Sequence, residues 1–344
     1  MEGWIVRRHG GLEALEWSDH LPTPEPGPGQ VRLRVRAVGL NHLDVWVRKG
    51  VPGHRFPLPL IPGCDMAGTV DKVGVGVDQI DPEARFIVDP GLSCGACPAC
   101  DTGQHPLCRG YGIFGETTHG GAAEYAVVPR ANLLEAPPQL SWAEAASFPL
   151  AFLTAWHMVV TRAQVRPGQT VLVQAAASGV SAAAIQIAAL LGARVFAAAR
   201  GEAKTAFARS LGAEAAIDTA SEDLVARVRE LAGKGGVDLI VDHMGAATWE
   251  QDLKVLARGG TLVTCGATTG ADAAINLRAL FFKAWSILGS TMGSRGELRT
   301  VTELFRQGRL RPVLDAALPL SELREAHRML EAREVLGKLV CLHP

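Results

Sequence analysis

TVLVQAAASGVSAAAIQIAALLGARVFAAAR, residues 170–200, is the stretch whose reading decides the fold. A short apolar run, Thr170–Ala175, has strand length and leads into a turn of small residues around Gly179. Residues Val180–Leu191 then read as a helix and Arg194–Ala199 as a second strand. The charge-free segment from Thr170 to Ala193 is long enough to cross a membrane. It is interrupted by Gln174, Ser178, Gly179, Ser181 and Gln186, however, and its period changes halfway. A buried strand, a turn and a buried helix fit better, and no membrane association is expected.

Strand, tight turn, helix, strand is the plan that aims a helix N-terminus at a pyrophosphate. Here the glycine fingerprint is degraded. Ala177 and Ser181 stand at the outer positions, and Gly179 alone keeps the centre, where backbone must come closest to phosphate. Ser178, Gly179 and Val180 are therefore the candidate pyrophosphate-binding residues, and Ser181 is small enough to keep helix and strand close. A parallel α/β core with no nucleotide is the bland alternative. About twenty residues past the turn, an NAD site places an acid against the ribose hydroxyls. This chain has Ala199 and then Arg200, with Lys204 one helical turn on. A guanidinium there suits a 2′-phosphate, so NADP(H) is favoured over NAD(H).

Outward from this turn, further strands are expected at Val237–Asp242, Thr261–Cys265 and Ser286–Gly289. Helices are expected at Glu202–Leu211, Glu222–Ala232 and Thr248–Ala257. Alternation of this kind implies an α/β domain with a doubly wound parallel sheet covered on both faces. His243 and Gly266 follow the third and fourth of these strands, at ends that face the ligand crevice, and are candidates for cofactor proximity.

Toward the N-terminus the character changes near residue 150. VRLRVRAVGL (Val31–Leu40) alternates apolar and basic residues as a half-buried strand does. Shorter strand candidates at Ala67–Val73, Arg85–Val88 and Ala123–Val128 are punctuated by Gly, Pro and Asp, which suggests an antiparallel barrel-like domain. The expected division is 1–150, 151–291 and a tail, 292–344, that alternates helix and strand once more and fits either domain by pattern alone.

Within the first part, GLSCGACPACDTGQHPLCRG carries Cys94, Cys97, Cys100 and Cys108, four thiols in fifteen residues. Four thiolates with no water ligand make the closed pattern of structural zinc. A Gly/Pro-rich loop of this kind buries too little to order itself, and metal binding can supply the missing folding energy. Disulfides and an iron–sulfur cluster are the alternatives. One structural zinc is expected.

The chain has 344 residues, enough for two cores. A net charge of −1, with 20% charged residues, gives no electrostatic footprint for nucleic acid. The N-terminal MEGWIVRRHGG lacks an apolar secretory core, and a cytoplasmic location is expected.

Taken together, VGLNHLD, IPGCDMAGTV, the cysteine lobe, GGAAEYAVVP, LTAW, the Gly179 turn, VDHMG, GGTLVTCG and GKLVCL resemble the medium-chain dehydrogenase/reductase superfamily, in family order. The resemblance implies a GroES-like catalytic domain built from the N-terminal part and the tail. It also implies a Rossmann domain between them and an active site in the cleft. It further implies contacts to the cofactor from His42 and Lys338 at the pyrophosphate and from Thr154 at the nicotinamide; a surface histidine, an exposed lysine and a buried helix-start cap are the alternatives. Because relatives pair the sheet edge at AWSILGSTM (Ala284–Met292), it implies a homodimer or a homotetramer of such dimers.

Zinc-dependent alcohol dehydrogenases of this superfamily hold a catalytic zinc through Cys, His and a third Cys or acid. The matching positions here are Asn41, Cys64 and Leu150, and Leu43 replaces the proton-relaying Ser or Thr. Cys64 and Asp65 remain, with Asp44 nearby, short of three good ligands. This combination is similar to the quinone oxidoreductase and enoyl reductase branch. It implies a small-molecule acceptor, an enone, enoyl thioester or quinone, with Asn41 as the catalytic hydrogen-bond donor. An alcohol dehydrogenase with other metal ligands, and a non-catalytic NADP(H)-binding protein, are the alternatives.

Overall fold

A computed structural model describes residues 1–81 and 83–343. The chain forms two compact units. One is Met1–Leu150 together with the segment from Gly293 onward, and the other is Ala151–Met292.

Among the described residues, the second unit has one sheet of six strands, all parallel. Their spatial order is Ala215–Asp218, Arg194–Ala199, Thr170–Val173, Val237–Asp242, Leu256–Thr264 and Ser286–Gly289. This is the doubly wound dinucleotide-binding order, in which the direction of winding reverses between the first and fourth strands in sequence. Those two strands, Thr170–Val173 and Val237–Asp242, are direct neighbours in the sheet. Their carboxyl ends therefore open the crevice where a dinucleotide belongs. Phe196, Ala198, Leu172, Ile240 and Leu262 are buried in the core on one side of the sheet. The helix Gly179–Leu190 buries most of its residues, as its charge-free sequence requires.

Strands Arg194–Ala199, Val237–Asp242 and Ser286–Gly289 have the bounds expected from sequence. The strand Ala215–Asp218 was not expected, because EAAID is alanine-rich and offers little β-propensity. Leu256–Thr264 begins earlier than the expected Thr261, and the preceding helix runs Ala246–Val255 instead of Thr248–Ala257. Gly259 and Gly260 lie inside that strand, where glycine weakens the sequence signal.

In the first unit, Gln30–Gly39 is the central strand. It pairs antiparallel with Asp65–Val73, with Tyr125–Pro129 and with Lys338–Leu342. Val31, Leu33, Val35 and Ala37 point into the core, and the alternating arginines point out. Arg32 is held by Asp71 at 2.6 Å and Glu25 at 3.0 Å. The tail belongs to this sheet: Val340 pairs with Gly39 and Leu342 with Ala37. Continuing that register carries Lys338 to the level of Asn41, and Leu40 N–H donates to Leu339 O at 2.9 Å. On the other side Gly39 pairs with Asp65. The sheet thus delivers residues 41, 65 and 338, far apart in sequence, to one point. At Gly39 an added Cβ would lie 2.1 Å from the Ala146 carbonyl oxygen, so this close approach requires glycine. No helix is long and apolar enough to cross a membrane among the described residues.

Candidate functional site

Asn41, Cys64, Asp65, Leu150 and Lys338 meet in the interior of the first unit. Asp65 has no exposed surface, and its Oδ1 accepts from Leu150 N–H at 2.7 Å. Its Oδ2 accepts from Asn41 Nδ2 at 2.8 Å and from Lys338 Nζ at 2.9 Å. Lys338 also donates to Asn41 Oδ1 at 2.6 Å, and Asn41 Nδ2 donates to Cys64 Sγ at 3.2 Å. The neighbours fix the amide orientation: an ammonium must face its oxygen and a carboxylate its nitrogen. Burial, then the nearby charges of Asp65 and Asp44, push the Cys64 thiol well above its ordinary range, so it stays protonated. Asp44 accepts from Asn41 N–H at 2.7 Å and Gly63 N–H at 2.8 Å, yet burial still raises its pKa to about 6.

Two sequence expectations change here. Asn41 was expected to offer its amide to the acceptor, but both Nδ2 hydrogens already have acceptors inside the protein. Lys338 was expected beside the cofactor pyrophosphate, but it is 3% exposed and bound to Asp65 and Asn41. An ammonium has three N–H groups, and two are accounted for. The positions that resemble a catalytic zinc site therefore do not fit a zinc. They supply one thiol, one carboxylate already holding an ammonium, an amide and a leucine.

The cysteine lobe does fit a metal. The sulfurs of Cys94, Cys97, Cys100 and Cys108 all lie within 4.8 Å of one another. Cys94 and Cys100 Sγ are 3.9 Å apart, and Cys97 and Cys100 Sγ 3.6 Å. Four sulfurs about 2.3 Å from one tetrahedral zinc would be about 3.8 Å apart. The same distances are far too long for disulfides, whose S–S bond is about 2.05 Å. The four thiols would hold the ion, closing the coordination shell and tying down the loop.

In the second unit, the Gly179 turn and the loop after Val237–Asp242 come together. Ser178 caps the helix, its Oγ accepting from Ser181 N–H at 3.2 Å. Ser181 Oγ donates to Gln174 O at 2.6 Å. His243 Nε2 lies 3.0 Å from Ser181 Oγ and 2.8 Å from Ser178 Oγ. The Ser181 hydrogen is committed to Gln174, so Nε2 must carry the imidazole proton and donate to these hydroxyls. Burial lowers the His243 pKa and keeps the ring neutral. That leaves the Ser178 hydroxyl hydrogen uncommitted at the head of the helix. Ala175, just before the turn, has φ 48°, a left-handed conformation that a missing glycine would adopt more easily. Gly266 abuts His243: an added Cβ would lie 3.3 Å from the His243 carbonyl oxygen.

Arg200 is exposed at the end of Arg194–Ala199 and has no hydrogen-bond or ion-pair partner among the described residues. Lys204 is half-buried on the helix Glu202–Ser210. The neighbouring carboxylate, Asp218, is occupied, accepting from Gly201 N–H at 2.7 Å and Ala220 N–H at 2.9 Å. Thr154 is buried, 4.0 Å from Met292 Sδ, and His42 is exposed at the start of the helix His42–Lys49.

Comparison with known proteins agrees with both units. The chain matches the alcohol dehydrogenase GroES-like domain over residues 27–138 and the zinc-binding dehydrogenase family over residues 179–307. It is 32% identical to a quinone oxidoreductase of Pseudomonas aeruginosa, covering 97% of each protein. It is 30% identical to a crotonyl-CoA reductase of Streptomyces collinus, over 95% of this chain and 81% of that one. A solved NAD-dependent alcohol dehydrogenase is 48% identical, with a TM-score of 0.95 and 99% of each chain covered. The protein is an NAD(P)-dependent oxidoreductase. With a GroES-like unit, a doubly wound sheet and these relatives, the chain belongs to the medium-chain dehydrogenase/reductase superfamily.

Proposed function

We propose that the protein transfers hydride between NADP(H) and an activated acceptor, a conjugated enone, enoyl thioester or quinone, with one structural zinc and no catalytic metal. The observation that carries this reading is the Lys338–Asp65–Asn41 network at the positions where alcohol dehydrogenases of the superfamily hold zinc. In the zinc-dependent reaction a Lewis acid polarises the simple carbonyl that accepts the hydride. A conjugated acceptor spreads the developing charge to a distant oxygen, which hydrogen-bond donors can stabilise.

Bound NADPH supplies the hydride. The protein's own contribution is to hold and orient it. The Gly179 and Val180 N–H groups and the free Ser178 hydroxyl hydrogen would hold the pyrophosphate, and His243 holds the Ser178 oxygen in place. Arg200, with Lys204, takes the 2′-phosphate, and Gly266 keeps the neighbouring loop close. Cys94, Cys97, Cys100 and Cys108 hold the structural ion.

Oxidation of simple alcohols with NAD is the second reading, favoured by the 48% identical alcohol dehydrogenase. Turnover of a conjugated enone, a quinone and a simple alcohol, each with NADPH or NADH (or the oxidised forms), decides between them. Conjugated-acceptor reduction unaffected by a chelator that spares the lobe is expected. Fast, chelator-sensitive alcohol oxidation alone would defeat the proposal.

A further inference from the structure

We infer that the Lys338 ammonium is an internal cation standing in for the metal charge, and that it keeps metal out of the Cys64–Asp65 pocket while clamping Asn41 and Asp65 in place. This deepens the metal-free reading above and rests on it. The grounds are geometric. Asp65 Oδ2, the carboxylate atom left after Leu150 N–H takes Oδ1, is shared by Lys338 at 2.9 Å and Asn41 at 2.8 Å. Asn41 Oδ1, the one other oxygen facing the ammonium, receives it at 2.6 Å. Lys338 Nζ therefore occupies the point where two oxygens and the Cys64 side converge. A second cation there would meet a fixed positive charge within a few ångströms in a dry environment, where repulsion is poorly screened. The register of Lys338–Leu342 against Gln30–Gly39 places the lysine, and its side chain is buried and held by Asp65 and Asn41. Lys338 is thus a positioning residue, acting on the acceptor site through Asn41 and Asp65.

The prediction is a gain of metal. Asn41→Cys places a second thiol beside Cys64 and Asp65, completing a two-sulfur, one-oxygen set. With Lys338 still present the set should remain closed to metal. Asn41→Cys combined with Lys338→Met should open it. Zinc-loaded protein, its lobe filled, is equilibrated with cobalt(II), desalted, and total metal per chain is measured with the absorption spectrum. Wild type and Asn41→Cys are expected to hold one metal. The double variant is expected to hold two, with a sulfur-to-cobalt charge-transfer band, and to bind the second about 10–100-fold more tightly than Asn41→Cys does. Where Lys338→Met impairs folding, judged by circular dichroism, Lys338→Gln in the same background is read in the same way. A second metal in wild type, equal uptake by the single and double variants, or a folded double variant that takes none would overturn the inference. Because the readout is metal uptake, it is separate from the turnover comparison that tests the acceptor class.

Discussion

Arg200→Ala is the perturbation that settles cofactor preference. The guanidinium sits at the end of Arg194–Ala199, exposed and without a hydrogen-bond or ion-pair partner among the described residues, so removing it breaks none of their polar contacts. Stability should change by no more than about 0.5 kcal/mol, as for most surface substitutions. Binding is another matter. A hydrogen bond to a charged group contributes about 1.5–3 kcal/mol. This side chain is solvent-exposed and must be ordered on binding, so the low end applies. About 1.4 kcal/mol is a tenfold change in Kd, and NADPH should weaken by that factor. NADH, which lacks the 2′-phosphate, should change less than about twofold. The NADPH advantage in the wild-type protein should also shrink as salt rises, because the exposed pair is screened over about 10 Å at 0.1 M. Fluorescence titration of both cofactors at low and high salt measures all three effects. Equal weakening of NADPH and NADH would remove Arg200 from the discrimination. A wild-type preference for NADH would refute the reasoning altogether and favour the NAD reading.

Further measurements test other parts of the structure. Zinc analysis should give one ion per chain, and Cys97→Ser should lower the melting temperature far more than it slows hydride transfer per folded molecule. Asp65→Asn should cost about 3–5 kcal/mol in denaturant unfolding, because it leaves the Lys338 charge buried without its carboxylate; a loss below 1 kcal/mol would show that the ammonium is hydrated. His327 is fully buried with neither ring nitrogen hydrogen-bonded among the described residues, and burial, with Arg48 nearby, pushes its pKa down to about 3. The folded chain therefore resists a proton that the unfolded chain takes near pH 6.5, so this contribution is complete above pH 6.5 and is lost as pH falls toward 3. At pH 5 the loss is about 2 kcal/mol, and His327→Phe should flatten the pH dependence of the urea midpoint in that range; an unchanged slope assigns acid lability elsewhere. Finally, Leu277, Phe281 and Phe282 are exposed on the helix that precedes the strand Ser286–Gly289 in the chain, and that strand pairs only with Leu256–Thr264 among the described residues. Sedimentation should show a dimer or a tetramer of dimers, and Phe281→Glu should shift it toward monomer; a wild-type monomer at micromolar concentration counts against this edge as an interface.

The parts of this protein that were legible in the sequence are those encoded locally. Thr170–Val173, the turn and Gly179–Leu190 announce themselves because a buried parallel strand and a buried helix are both charge-free and differ in period. The cysteine lobe is legible because its ligands lie within one loop. Ala215–Asp218 escaped because its partners, not its own residues, make it a strand. The cluster around Asn41 was half legible for the same reason. Sequence matching identifies Asn41, Cys64 and Leu150 as positions where metal ligands are missing, but a list of missing ligands does not say what replaced them. That depends on the register of Lys338–Leu342 against Gln30–Gly39, set some three hundred residues apart in the chain. Only when Val340 is seated against Gly39 does Lys338 reach Asn41, and only then is the amide seen to be spent on Asp65 and Cys64. A residue that looks like a catalytic donor in the sequence is, in the fold, hydrogen-bonded to Cys64, Asp65 and Lys338. The polarity of the site then rests on an ammonium supplied by the last strand.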